Sequence, residues 1–365
     1  MRKFIFKEQK IKEEYQYVFL CGTHYLASQK KDKRNVLRSF LQRKDAKFRP
    51  IILEDNFIFK KNSSRFLVYD DIHMKDLYQV EMLMNYLSDS NIIVHESIST
   101  GAETGLFLSE CDAVEKTCLL VPDEVAVEED KLGQFIRLSF LRDPYPVKVI
   151  TYYPSLEQHI RSENVKYWHT YFYKNTIGDN LGKQIIDFLK NSDVDYGIRF
   201  TQTTNKIKEQ YIYYKVEKKN GILTIRVLPR VLLICVAGIF NIKDCETEIF
   251  GSEKRELKKF VELIIKWLKF IFKNTIEELT GAEVKDCRIQ PEIKVRGVYI
   301  AEIAGMFLYL FQAAGFIQIK KDSDYKSNGK VSISKKILQD SDGNNYIFYK
   351  KYESCISYAV ENQIK

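Results

Sequence analysis

The chain has 365 residues, 45% of them apolar and 29% charged, which is ordinary for a globular protein and argues against a disordered or fibrous one. This length allows two domains or one large one. The formal net charge is +8, and residues 1–154 hold as many acidic as basic side chains, so the excess lies in 155–365. A basic half favours contact with an acidic partner, and a solvated basic surface is the alternative.

Strands and helices alternate along residues 1–154. Strands are predicted at 15–21, 49–54, 91–95, 117–121 and 147–152, and helices at 28–42, 72–87, 101–113 and 128–140. Because parallel strands need crossover connections, this alternation predicts an α/β fold with a Rossmann-like (flavodoxin-like) parallel sheet. We expect residues 1–154 to be the catalytic domain.

The alternation is expected to stop after Pro154. A β-hairpin is predicted at 211–216 and 222–227, helices at 253–279 and 297–314, and strands at 316–320 and 330–334. Residues 155–365 therefore read as a second, basic α+β domain for partner or nucleic-acid binding. Its last helix and hairpin suggest a winged-helix-like arrangement, although that helix is too apolar to enter a DNA groove.

The apolar run 298–317 is long enough to span a membrane. Glu302, Gly305 and Gly315 interrupt it, and the sequence that follows alternates like a strand. A buried helix that leads into a strand is therefore favoured, and no membrane partner is expected.

The seven cysteines are irregularly spaced and form no C-x-x-C pair and no zinc-type cluster with the five histidines. Residues 1–15 lack the apolar core of a signal peptide. We therefore expect reduced thiols, a cytoplasmic location, and no metal or cofactor.

Ligands of doubly wound sheets bind beyond the carboxyl ends of the strands, where three loops of this chain are expected. The first holds Cys21, Gly22, Thr23 and His24. Gly22 would permit close approach of the backbone, and the amides after it would hold a phosphate. The loop matches neither the dinucleotide fingerprint nor the P-loop, and an ordinary glycine after a strand is as good an account.

The second loop begins with Glu54 and Asp55, whose carboxylates are suited to accept hydrogen bonds from ribose hydroxyls. The third runs from Glu96 to Gly105 and is predicted to place Glu103 in the first turn of a helix. There the helix dipole would keep the carboxylate ionised. An ionised carboxylate can stabilise or trap an oxocarbenium-like carbon. The alternative for Glu103 is a capping role alone.

Four segments in order carry a resemblance to a known superfamily: VFLCG (18–22), ILEDNF (52–57), SDSNIIVHESISTGAETGLF (88–107) and TCLLVPD (117–123). Together they resemble the nucleoside 2-deoxyribosyltransferase-like superfamily of N-glycosidases, and most of all the toxic effectors of bacterial retron anti-phage defence systems. The resemblance covers about residues 15–150. It implies that Glu103 is the catalytic glutamate. The substrate-binding positions that it implies are Cys21, Gly22, Thr23, Glu54, Asp55, Asp89, Ser99, Thr100 and Gly101.

The resemblance implies a hydrolase that cleaves the base–ribose bond of NAD⁺, a nucleotide or a nucleoside and so arrests phage-infected cells. It also implies that residues 155–365 engage a reverse transcriptase and its RNA–DNA product, and it leaves a homo-oligomer open. Two other functions remain in play: a nucleotide-sensing module without catalysis, and a nucleic-acid-binding factor whose α/β domain is only structural.

Overall fold

The computed structural model describes most of the chain, namely residues 3–11, 15–22, 32–55, 72, 74, 76–109, 111–122, 147–154, 170–191, 196–203, 212–217, 219–339 and 343–358. The predicted helix at 128–140 lies outside these residues. The described cysteines Cys21, Cys118, Cys235, Cys245, Cys287 and Cys355 are buried and unbridged.

The chain forms two compact units. The sheet unit comprises Glu14–Leu53 and Leu87–Val194, and the C-terminal unit comprises Met1–Glu13, Glu54–Tyr86 and Asp195–Lys365. These units do not correspond to a division at residue 154. The sheet unit extends past it to Val194, and the C-terminal unit includes Met1–Glu13 and Glu54–Tyr86 from before it. The assignment of separate functions to 1–154 and 155–365 stays a prediction.

The helices of the described residues are α1 (Lys33–Lys44), α2 (Leu77–Leu87), α3 (Ile98–Leu108), α4 (Cys111–Val114), α5 (Asp179–Asn191), α6 (Pro229–Ile239), α7 (Lys243–Phe250), α8 (Leu257–Thr280), α9 (Ile300–Ala313) and α10 (Tyr325–Asn328). Two 3₁₀ helices cover Leu53–Asp55 and Phe348–Cys355. The strands up to the middle of the chain are β1 (Phe4–Phe6), β2 (Gln9–Ile11), β3 (Gln16–Gly22), β4 (Phe48–Ile51), β5 (Ser90–Val94), β6 (Thr117–Pro122), β7 (Lys148–Tyr152), β8 (Phe172–Tyr173) and β9 (Thr176–Ile177). The later strands are β10 (Tyr196–Ile198), β11 (Phe200–Gln202), β12 (Ile212–Glu217), β13 (Ile222–Val227), β14 (Arg255–Glu256), β15 (Asp286–Pro291), β16 (Ile317–Lys321), β17 (Lys330–Lys335), β18 (Ile337–Gln339), β19 (Asn345–Ile347) and β20 (Ile356–Tyr358).

The sheet unit is built on a five-stranded parallel sheet in the order β4-β3-β5-β6-β7. Numbered along the sheet-unit strands, this order is 2-1-3-4-5, which is that of flavodoxin-like folds. The predicted Rossmann-like α/β fold is therefore confirmed. The central strands β3, β5 and β6 are buried along their whole length, which explains their continuous apolar sequences.

Helix α5 was not predicted, although the parallel strands end with β7, in agreement with the predicted end of the alternation at Pro154. Its Leu181, Ile185 and Leu189 are fully buried and join the same core as the sheet. Their spacing of four residues marks one face of a helix, so the signal was present in the sequence. The segment that α5 adds to the sheet unit lies beyond the predicted domain boundary.

The C-terminal unit contains a four-stranded mixed sheet in the order β11-β12-β13-β15. Its centre is the predicted hairpin: β12 and β13 pair antiparallel, with Lys215 opposite Thr224. Strand β15 then pairs parallel with β13. The extreme N-terminal strand also belongs to this unit, because β1 pairs with β20 near the end of the chain.

A winged-helix-like order of elements follows within the same unit. Helix α7 is followed by the short strand β14, helices α8 and α9, and the antiparallel pair β16 and β17, and the sheet order is β14-β17-β16. The predicted arrangement is thus present, with β15 inserted between α8 and α9. Residues Ile303–Phe311 of α9 are buried, so this helix serves the core and offers no free face to a DNA groove.

The apolar run 298–317 forms the buried helix α9 followed by strand β16, as predicted. Within the described ranges, the structure contains no helix with both the length and the apolar character needed to cross a bilayer.

Gly305 of α9 allows a close backbone approach. A Cβ at this position would lie 2.6 Å from the carbonyl oxygen of Ile72, a backbone atom that cannot turn aside. We expect Gly305→Ala to lower the free energy of unfolding by about 1–3 kcal/mol, as overpacking does. Gly105→Ala in α3, where no atom lies within 4 Å of the added Cβ, is the matched helical control. Urea unfolding of the two variants tests this, and equal stability of both would contradict it.

Candidate functional site

The candidate site lies at the carboxyl edge of the parallel sheet, where the strand order reverses between β3 and β5. Gly22, the last residue of β3, is in register with Val94, the last residue of β5. The chain continues from Val94 through buried His95 and half-buried Glu96 into helix α3. In folds of this order the crevice between these two strand ends is where ligands bind.

Gly22 sits in a narrow space. A Cβ there would lie 3.2 Å from Cδ of Arg34 and 3.3 Å from Cβ of Val94. The glycine is therefore needed for packing of the first helix against the strand end. Cys21 beside it is buried. Thr23 and His24, predicted for the same loop, lie outside the described residues.

Arg34 lies against this glycine and is held by Asp32, the N-cap residue of α1. The Arg34 side chain donates from Nε and Nη2 to the Asp32 carboxylate, at 3.1 and 2.8 Å. The backbone N–H of Arg34 donates to the same group at 2.9 Å. Only 3% of the arginine side chain and 9% of the aspartate side chain are exposed. This buried ion pair fixes the start of α1 beside the strand edge.

Helix α3 begins earlier than predicted, because Ser97 caps it. The Thr100 hydroxyl accepts from the Ser97 backbone N–H at 3.0 Å, and the Ser97 hydroxyl accepts from the Thr100 N–H at 3.4 Å. Glu103 is therefore the sixth helical residue, and its predicted place in the first turn is wrong. The dipole effect falls off within the first turn, so the predicted influence of that turn's amides on the Glu103 carboxylate does not apply.

Ser99, Thr100 and Gly101 lie in the first turn of α3, and their predicted role in substrate binding stays a prediction. Thr100 is buried, and its hydroxyl also donates to the Ser97 carbonyl at 2.7 Å. The exposed Ser99 hydroxyl lies 2.9 Å from the Ser97 hydroxyl. A Cβ at Gly101 would lie 3.6 Å from Cε1 of His95. The turn is thus held by short side-chain hydrogen bonds to the backbone.

Glu103 is half-buried on α3, and its Oε2 atom is shielded from solvent. The next residue, Thr104, is buried and donates to the Thr100 carbonyl at 2.7 Å. Phe107 on the same helix packs against Phe19 of β3, with ring centroids 5.7 Å apart. The helix is thereby anchored on the central strand, and its carboxylate is neither deep in the core nor free in solvent.

The structure assembles a polar cluster that the sequence reasoning missed, consisting of Lys33, Glu96 and Tyr152. The Lys33 ammonium and the Tyr152 hydroxyl both donate to Oε1 of Glu96. Lys33 also lies 5.3 Å from the Tyr152 ring centroid and 5.6 Å from that of Phe172. Three elements that are distant in sequence, namely α1, the end of β5 and the end of β7, meet at this carboxylate, so no local motif could have revealed it.

Asp89 lies at the other edge of the sheet. It precedes β5, at the amino end of the strand, and its carboxylate accepts from the Tyr17 backbone N–H at 2.7 Å. In a parallel sheet the amino ends of all strands lie on one side and the carboxyl ends on the other. Asp89 therefore lies on the side opposite Gly22 and Glu96. We therefore remove Asp89 from the candidate substrate-binding residues.

Glu54 and Asp55 follow β4 in a 3₁₀ helix, are half-buried, and are counted in the C-terminal unit. In that unit Glu81 of α2 is the notable neighbour of Glu54. Burial first, and then the Glu54 charge, raise the pKa of Glu81 from 4.5 to about 7. No local sequence pattern indicates this interaction, because the two residues are separated by 27 positions in the chain (81 minus 54).

The raised pKa of Glu81 predicts a pH-dependent stability. Its contribution is fully present below pH 4.5 and is lost as the pH rises to about 7, because the native state holds the proton more tightly than the unfolded chain. We expect Glu81→Gln to be more stable than the wild type at pH 8 by about 1–3 kcal/mol and nearly equal to it at pH 4. Chemical denaturation at the two pH values measures this, and a variant less stable at pH 8 would contradict it.

In the residues that the structure covers, no group of three or more His, Cys, Asp or Glu side chains is arranged to hold a metal ion.

These features define a flavodoxin-like α/β unit with a carboxylate-bearing helix at its switch point, joined to a basic α+β unit. The chain belongs to the STM3845 retron effector protein family, whose family model matches residues 30–318. The predicted resemblance to retron effectors is confirmed by this match. No curated protein matches the sequence.

Proposed function

We propose that the sheet unit cleaves the base–ribose bond of NAD⁺, a nucleotide or a nucleoside, as the nucleoside deoxyribosyltransferase-like enzymes do. The observation that carries this proposal is Glu103, a partly shielded carboxylate on the helix that follows the central strand β5. Such positions beyond the carboxyl ends of parallel strands are where ligands of this fold bind.

In the proposed reaction the bond between C1 of the ribose and the base nitrogen breaks, and the base leaves with the bonding electron pair. The Glu103 carboxylate stabilises the positive charge that develops on C1, or attacks C1 to form a glycosyl ester. Water then adds to C1 and gives one proton to the base or to solvent, and where the ester has formed, the Glu103 carboxylate is released. The sugar product is ribose from a nucleoside, ribose phosphate from a nucleotide, or ADP-ribose from NAD⁺. The reaction consumes one water and needs no oxidant or metal.

Glu96 is suited to orient the sugar in this reaction. Both of its donors, Lys33 and Tyr152, bind Oε1, so Oε2 is the oxygen that can accept from a ribose hydroxyl. A carboxylate held at one oxygen is pre-organised and loses little side-chain freedom when a ligand binds. Cleavage of a common metabolite by such a site would deplete it and arrest an infected cell, which suits the effector of a defence system.

The test is incubation of the purified full chain with NAD⁺ and a panel of nucleotides and nucleosides, followed by chromatography of the products. We expect release of free base from at least one member of the panel. Binding of a nucleotide without any release of base would identify a sensing module instead. A protein that neither binds nor cleaves any member of the panel would refute the proposal.

A further inference from the structure

A groove in the C-terminal unit lies between the exposed side of α8 and the beginning of β15. Its volume is about 530 Å³. Four lysines line it, namely Lys266, Lys269, Lys273 and Lys285, against two acidic residues. The three lysines of α8 lie along one stripe of the helix and span about 10 Å at a rise of 1.5 Å per residue. The groove is therefore a basic channel.

The lysines differ in how far their charge is already neutralised. Lys266 pairs with Glu248 at 3.2 Å, and Lys273 lies 3.9 Å from Glu277. Neither Lys269 nor Lys285 has a carboxylate within 4 Å among the residues that the structure describes. These two ammonium groups, one on each wall, are the available positive charges.

The two acidic residues of the lining cancel only part of this charge, because four lysines against two carboxylates leave a formal charge of +2. Glu262 is engaged by Lys259, whose ammonium donates to it at 2.9 Å. Asp286 accepts from the backbone N–H of Cys287 at 2.8 Å. The lining thus keeps a net positive potential along the groove, which attracts an anionic chain.

The floor of the groove is apolar and aromatic. Ile265 and Phe270 are half-buried, and Cys287 is buried. Burial raises the pKa of the Cys287 thiol to about 12, so the floor stays neutral at physiological pH. Phe270 is braced edge-on by Trp267, with ring centroids 5.8 Å apart. A fixed, partly exposed ring beside unpaired lysines is the combination that binds a base and its phosphate.

We propose that this groove binds single-stranded nucleic acid, with phosphates at Lys269 and Lys285 and a base against Phe270. The groove has the volume of a small-ligand site, enough for a base and its phosphate. A single strand can offer an unstacked base to Phe270, whereas a duplex keeps its bases within the helix. This site lies in the C-terminal unit and does not depend on the proposed glycosidase activity.

The test is fluorescence anisotropy of the full chain with labelled single-stranded oligonucleotides of DNA and RNA at several salt concentrations. We expect the double variant Lys269→Glu/Lys285→Glu to bind at least about tenfold more weakly. Its plot of log affinity against log salt should lose a slope of about 1.4, since each phosphate contact on a single strand contributes about 0.7. Phe270→Leu, which keeps an apolar floor without an aromatic face, should weaken binding about tenfold with the salt slope unchanged.

The matched control is Lys243→Glu/Lys258→Glu, which makes the same charge change at two exposed lysines outside the groove. It should bind within about threefold of the wild type. Three results would overturn the proposal: no binding of either oligonucleotide by the wild type at low salt, equal weakening by the control, or tighter binding of a polyglutamate peptide than of the oligonucleotides. The last result would assign the groove to an acidic protein segment.

Discussion

Glu103→Gln is expected to abolish release of free base, with a loss of at least about 10³-fold, while the protein stays folded. The substitution keeps the size of the side chain and removes the charge that would stabilise or trap C1 of the sugar. Because Glu103 is half-buried, the neutral amide should be tolerated. Turnover is measured by chromatography on the substrate that the wild type cleaves, and folding by circular dichroism.

The matched control for this prediction is Glu115→Gln, at an exposed glutamate of the same unit. It should retain the activity of the wild type within about twofold. Unchanged turnover by Glu103→Gln would remove Glu103 from the chemistry, even if base release by the wild type were established.

Asp32→Ala is expected to give the largest loss of stability, about 3–5 kcal/mol of unfolding free energy. It removes the N-cap of α1 and the carboxylate that accepts from Nε and Nη2 of the Arg34 guanidinium, whose side chain is only 3% exposed. Arg34 also fills the space beside Gly22, so the strand edge should loosen with it. Urea unfolding followed by circular dichroism measures the change.

Asp187→Ala is the control, since Asp187 is an exposed acid of α5 in the same unit. Its stability should stay within about 0.5 kcal/mol of the wild type. An Asp32→Ala protein as stable as this control would show that Asp32 does not stabilise the buried Arg34 guanidinium. The proposed role of this ion pair at the start of α1 would then be wrong.

The parallel sheet could be predicted because each of its central strands contains a short apolar run. Val18, Ile92 and Leu120 lie in strands that are buried on both faces, and such strands read as continuous apolar segments. Helix α5 was missed although Leu181, Ile185 and Leu189 have helical spacing, because the prediction placed a domain boundary before them. The boundary between the compact units depends on contacts between distant segments, which a single sequence does not display.

The candidate site was predictable only where local sequence determines geometry. The Ser97–Thr100 capping box was in the sequence, and reading it would have placed the helix start correctly and Glu103 in the second turn. The meeting of Lys33, Glu96 and Tyr152 was not predictable, because it depends on the order of strands in the sheet. The superfamily role of Glu103 stays a prediction from resemblance.

For the lysine groove, the helical spacing of the lysines is visible in the sequence, but the groove that they line could not be predicted from it. Lys266, Lys269 and Lys273 lie on one helical stripe, a spacing that usually marks a solvated face. Only the position of β15 beside α8 brings Lys285 across from them and turns the stripe into one wall of a groove.

The most direct test of the central claim is to run the reaction in water enriched in heavy oxygen and analyse both products by mass spectrometry. If the sheet unit cleaves the base–ribose bond, free base and a ribose-containing product should form in equal amounts, with the heavy oxygen on C1 of the sugar. Heavy oxygen found in a phosphate group instead, or substrate consumed without free base, would contradict N-glycosidic cleavage.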